Sequence, residues 1–259
     1  GPVAATQSPA DFKIMARFDV LNPDGGEIVN AGGDYTITWN KWGIAAANVK
    51  IELATNGGAA LPTYDKVIVA NTANSGSYIW LASALVSAVD NITPAARVRV
   101  SDVNDLDSAN VSAASFIIRA GFTLAPTIGS VPLEVGKTYD IVWTKKGNIS
   151  QVKLQYSPDN FFSDIRNIED SSGAVVAGGL VANQGDALKG DGPTTGRHVW
   201  KVPDIEASKA DTVRLRIADP TDPYANNISN VFRIIPSFTL TAPNRNSDDN
   251  ITQKLKVAV

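Results

Sequence analysis

The sequence predicts an all-β protein built of antiparallel β-sandwiches in series, and three observations predict it. Apolar residues recur with period two. Tyr35, Ile37 and Trp39 alternate with Thr36 and Thr38, and Val213, Leu215 and Ile217 alternate with Arg214 and Arg216. That is the pattern of a strand with one face in a core. The runs are five to seven residues long and are split by Gly, Asn, Asp and Pro, the residues that turns demand. The whole pattern then occurs twice along the chain.

In chain order, residues 1–17 read as a tail carrying the end strand of a preceding module. Their "DFKIMARF" places Phe12 and Phe18 six apart, as are Phe116 and Phe122, and Phe232 and Phe238. Residues 18–121 form the first full module. "FDVLNPDGGEIVNAGGDYTITW" takes 22 residues from Phe18 to Trp39, and "NVKIEL" (48–53), "SGSYIW" (75–80) and "ARVRVSD" (96–102) follow as strands. "LASALVSAVD" at 81–90 is the stretch that admits a helical turn or two. Residues 122–237 repeat the order as "FTLAPTIGSVPLEVGKTYDIVW", "QVKLQY", "TGRHVW" and "VRLRIAD", lengthened by a Gly-rich insertion at 171–196. Residues 238–259 begin a partial third copy, with Val259 where Trp39 and Trp143 stand. Seven or so strands per module, with a Trp on a central strand, predict tandem immunoglobulin-like antiparallel sandwiches. With no Cys in the chain, packing alone must join the two sheets of each.

Composition narrows the function classes. The chain has 259 residues, of which 44% are hydrophobic, enough for substantial cores. Its net charge of −3 argues against a nucleic-acid partner. No apolar run approaches the roughly 20 residues of a membrane span. "GPVAATQSPA" has neither the charged start nor the apolar centre of a signal peptide. Absent Cys removes thiol catalysis, disulfides and Cys-ligated zinc. It suits an exported bacterial or archaeal surface protein.

The order of a Pro/Gly-rich opening, "G-x-x-Y-x-I-x-W", "V-x-I-x-L", "S-G-x-Y-x-W", "R-V-R-V-x-D" and "S-F-x-I" resembles the Ig-like module of Ser/Thr-rich cell-wall and surface-anchored proteins. Fungal cell-wall glucan-assembly proteins carry that module, and similar ones recur in large bacterial and archaeal surface proteins. The resemblance covers both full units and implies fold more than function. The chain departs from the fungal pattern in having no cysteines and no Ser/Thr-rich tail.

Candidate sites lie mostly in loops. Asp102, Asn104, Asp105 and Asp107 in "SDVNDLDSAN" supply closely spaced oxygens, as calcium requires, and Asp219 and Asp222 recur in "ADPTDPYANN". Neither loop meets the EF-hand pattern, and the other reading is a hairpin whose Asp side chains cap their own backbone. N-x-S/T sequons stand at Asn91, Asn110, Asn148, Asn227 and Asn250; Asn110 and Asn227 occupy equivalent places and are the preferred glycan attachment points. Trp39, Trp80, Trp143 and Trp200 recur as core, whereas Trp42 stands just past a strand end, placed to stack on a sugar or to pack under "IAAAN". Arg97 and Arg99, like Arg214 and Arg216, share a strand face. Cross-strand Asp or Glu partners are expected for them, and the rival reading is a grip on sulfated or phosphorylated polymers. His198 replaces Tyr78 at an ordinary strand position, and the acids Glu169 and Asp170 are tied to no pocket, so no catalytic residues are assigned.

These readings converge on a non-enzymatic extracellular structural protein at the cell surface: a piece of a surface layer, sheath, filament or adhesive stalk. Only "IIRAG" separates Phe116 from Phe122, which predicts a stiff joint rather than a tether. Expected partners are copies of itself or neighbouring modules, and cell-wall polysaccharide. "TQKLKVAV", with Leu255, Val257 and Val259 on one face, is the expected donor strand for assembly. The alternative is a carbohydrate-binding accessory module of a secreted or cell-wall enzyme.

Overall fold

In the computed structural model, which describes residues 13–43, 46–81, 92–126, 131–206 and 210–238, each hydrophobic run repeated between the two full units contributes a strand. The described residues contain strands and short 3-10 turns but no α-helix. The segment expected to form a helical turn lies outside them, apart from Leu81.

The strands of the first half are β1 (Arg17–Asn22), β2 (Ile28–Asn30), β3 (Asp34–Trp42), β4 (Asn48–Ala54), β5 (Lys66–Ala73), β6 (Ser77–Leu81), β7 (Thr93–Asp102), β8 (Ala109–Val111) and β9 (Phe116–Arg119). They make a sheet β1-β3-β6 and a second sheet β2-β9-β7-β4-β5, with β8 paired to β7. The second half has β10 (Gly121–Leu124), β11 (Leu133–Glu134), β12 (Thr138–Lys146), β13 (Gln151–Ser157), β14 (Arg166–Asn167), β15 (Leu180–Ala182), β16 (Thr195–Lys201), β17 (Arg214–Ala218), β18 (Asn226–Ile228) and β19 (Ile234–Ile235). Its sheets are β10-β12-β16, β14-β13-β17-β18 with β15 on β13, and the pair β11-β19. The Gly-rich insertion thus folds back onto its own sheet: Ala182 pairs with Gln151 as Ala73 pairs with Asn48.

One pair in each half departs from the expected antiparallel order. β2 runs parallel to β9 and β11 parallel to β19. The cause is a change of sheet. After β1 pairs with β3, the chain turns through Pro23–Gly26, where Gly26 has φ +84°, and crosses to the edge of the opposite sheet. There it lies beside the module's last strand, running the same way, and covers an edge that would otherwise be open.

The buried residues form two clusters, one drawn from Phe18 to Ile118 and the other from Ala120 to Ile234. Trp39, Trp80, Trp143 and Trp200 are all core, at most 4% exposed. A buried indole N–H needs an acceptor, and both halves supply it identically. Trp39 Nε1 donates to Asn74 Oδ1 and Trp143 Nε1 to Asn183 Oδ1, each at 2.8 Å. Asn74 in turn donates to the Ala46 carbonyl and Asn183 to the Ile149 carbonyl. Lys41 and Lys145 donate to the backbone carbonyls of Asn74 and Asn183. Gly196 completes the second site, because a Cβ there would stand 2.1 Å from the Trp143 ring.

Candidate surface sites and the joint between the halves

The two acidic loops begin with the same turn. Asp102 Oδ1 accepts from the Asn104 N–H at 2.8 Å, and Asp219 Oδ1 accepts from the Thr221 N–H at 2.7 Å. That is the self-capping hairpin of the second sequence reading. Asp105 pairs with Lys13 Nζ at 2.7 Å. Its hydrogen bond, aided by its own charge and those of Asp107 and Asp102, raises the Lys13 pKa against the cost of desolvation. Asp222 is drawn away to Arg119. Among the described residues, no group of three or more His, Cys, Asp or Glu is placed to hold a metal ion.

Asn110 and Asn227 recur for a structural reason. Asn110 Oδ1 accepts from the Val20 N–H at 2.8 Å, and Asn227 Oδ1 accepts from the Leu124 N–H at 2.9 Å. Each amide therefore links the last part of its sheet to the first strand of the facing sheet. The sequon serines are equally occupied: Ser112 Oγ accepts from the Val98 N–H and Ser229 Oγ from the Leu215 N–H. The N-x-S pattern at these places is thus part of the sandwich wall. Asn91 and Asn250 lie outside the described residues, as do the assembly residues Leu255, Val257 and Val259.

Trp42 remains 44% exposed, with the Arg17 guanidinium 4.8 Å from its ring centroid. Glu169, Asp170 and His198 all make internal hydrogen bonds. Glu169 is 6% exposed and accepts from Tyr156 Oη at 3.0 Å and from Trp200 Nε1 at 2.8 Å. Burial first, and then Glu169, push the Tyr156 pKa up. Asp170 Oδ1 caps the turn through Ser172, Gly173 and Ala174. His198 Nε2 meets the Glu169 carbonyl at 2.7 Å and lines a shallow depression of about 430 Å³ with Asp186 and Arg197.

The joint is tighter than the sequence spacing implied. β9 ends at Arg119 and β10 begins at Gly121, so Ala120 alone connects the halves, and it is 4% exposed. Ile92 packs against both clusters. Two glycines permit the approach. A Cβ on Gly121 would lie 2.8 Å from the Ala31 carbonyl oxygen, and one on Gly147, at φ +88°, would lie 2.4 Å from Ile92 Cδ1. Across the joint, Arg119 Nε donates to Asp222 Oδ2 at 2.6 Å, with the two side chains only 16% and 27% exposed, and the guanidinium lies over the Tyr224 ring. Sequence reasoning missed this pair, because its members are 103 residues apart with no local signal.

Residues 22–91 match the model of the Kre9/KNH-like N-terminal Ig-like domain, which bears out, within the first unit, the resemblance read from the motifs. No curated protein matches the chain. Among solved structures, the fibronectin(III)-like modules of Clostridium thermocellum CbhA align at 14% identity over 84% of this chain and 94% of theirs, with a TM-score of 0.24. The N-terminal four Ig domains of Dscam1 isoform 7.44 align at 8% identity over 87% of this chain and 47% of theirs, with a TM-score of 0.33. A marsupial T cell receptor aligns at 9% identity over 88% and 74%, with a TM-score of 0.28.

Proposed function

We propose that the chain is a non-enzymatic structural element of a cell surface, in which tandem Ig-like modules at 18–121 and 122–237 are held as one stiff rod. The one-residue joint carries this reading. A Gly/Ser tether lets neighbouring modules swing freely. Here the connecting residue is buried, Ile92 is shared by both cores, and an ion pair ties the last strand of one half to a loop of the other. Stiffness of this kind serves a stalk, sheath or surface layer, where modules must transmit position rather than move. The match of residues 22–91 to a domain model of the cell-wall glucan-assembly type supports the extracellular location. Partners on this reading are copies of the chain or adjoining modules, with 252–259 as the donor strand. Antibodies against the protein should label unpermeabilised cells of the organism that makes it and follow the envelope fraction. Labelling only after permeabilisation would contradict the assignment.

A further inference from the structure

Equivalent sheet faces in the two halves differ in the residue set against the second strand arginine. In the first half Glu52, 3% exposed, lies across from Arg99 in the β4/β7 register. Arg99 donates to Glu52 Oε2 through Nε at 2.8 Å and Nη2 at 2.5 Å, and Lys50 Nζ is 2.6 Å from Oε1. Burial opposes ionisation of Glu52, but the Lys50 and Arg99 hydrogen bonds outweigh it and hold the carboxyl below its usual range. Glu52 thereby neutralises Arg99 and Lys50, while Arg97, two residues along β7, lies across from Ala54.

In the second half Gln155 lies across from Arg216 in the same register, so an amide stands where the acid was. Arg216 Nη2 donates to Gln155 Oε1 at 2.7 Å, and Gln155 Nε2 donates to Asn167 Oδ1 at 3.1 Å. No carboxylate pairs with Arg216 among the described residues, and desolvation pushes its pKa down. A guanidinium offers five donors. Arg214, two residues along the same strand, donates to the Ser229 carbonyl, and Lys153 lies on the same face across from Ala218. The result is a cationic strip in which an amide stands at the place of the first half's acid.

The adjoining loop is built to lie on this strip. Asn160 and Phe161 have φ of +59° and +62°, a left-handed backbone that non-glycine residues rarely hold. Asp159 keeps them there by accepting from the Phe162, Ser163 and Asp164 N–H groups. The reward is the Phe161 ring 4.3 Å from the Arg216 guanidinium, with Phe162 beside it 90% exposed.

We propose that this face binds an acidic glycan, with a carboxylate, sulfate or phosphate oxyanion on Arg216, which Gln155 holds from beneath, and the sugar against Asn167 and the loop aromatics. Half-buried arginines about 7 Å apart along a strand suit an extended polymer. Amides and rings suit hydroxyls and the C–H faces of sugars. The site does not depend on the stiff-rod reading, since it lies within one half. The test is affinity electrophoresis of the intact chain at low salt through gels containing dextran sulfate, polygalacturonate or neutral dextran. Wild type should be retarded by an acidic polymer but not by neutral dextran, and the effective one identifies sulfate or carboxylate. Gln155→Glu, which recreates the Glu52 arrangement, should weaken retardation at least tenfold without lowering the melting temperature, and Arg216→Gln should do the same. No retardation of wild type, or full retardation of either folded variant, overturns the proposal. Equal retardation by poly-L-glutamate overturns the glycan in favour of an acidic peptide.

Discussion

Trp143→Ala is expected to destabilise the second half by about 3–5 kcal/mol, the range for truncating a fully buried aromatic. Trp143 is 0% exposed, and its ring fills the space that Gly196 leaves beside it. Its loss does more than open a cavity. Asn183, 3% exposed, loses the donor that fixes its amide, and the Lys145 ammonium is held beside it, its pKa already lowered by burial. Scanning calorimetry should show the transition of this half falling by more than about 10 °C. A fall below about 3 °C would mean that the Trp143–Asn183–Lys145 network is not the keystone of the sandwich.

Glu169→Ala should cost about 2–4 kcal/mol, because it orphans two buried donors at once. Tyr156 Oη and Trp200 Nε1 both end on its carboxylate, and Trp200 also packs on Tyr156 and Phe232. Glu169→Gln keeps the shape but offers one acceptor oxygen and a competing NH₂, so it should recover only part of the loss. Urea melts of the three proteins check the order. Equal stability of wild type and Glu169→Ala would show that water satisfies these groups instead.

The core was legible in the sequence, and its polar supports were not. Period-two alternation places Ile37, Trp39, Leu215 and Ile217 on inner faces because burial directly selects apolar side chains. Periodicity says nothing of strand direction, so the parallel pairs β2/β9 and β11/β19 were invisible. Asn74 and Asn183 look like ordinary turn residues. Only the shared Ala-Asn before each second Trp strand hinted at a common role. The sequons at Asn110 and Asn227 were visible, yet their recurrence has a cause in the hydrogen bonds to Val20 and Leu124. Aligned strands showed Gln155 where Glu52 stands. Its meaning needed the register that sets each against an arginine.

On the proposed function the two halves move as one body about Ala120. The chain has no Cys, so spin labels go only where they are placed. Ile79, 60% exposed on β6, and Thr138, exposed on β12, offer one rigid strand position in each half. Pulsed electron paramagnetic resonance on Ile79→Cys/Thr138→Cys should give a single narrow distance distribution, and inserting Gly-Gly-Ser after Ala120 should broaden it. A broad distribution in the chain without the insertion, unchanged by it, would contradict the rigid joint and the function proposed from it.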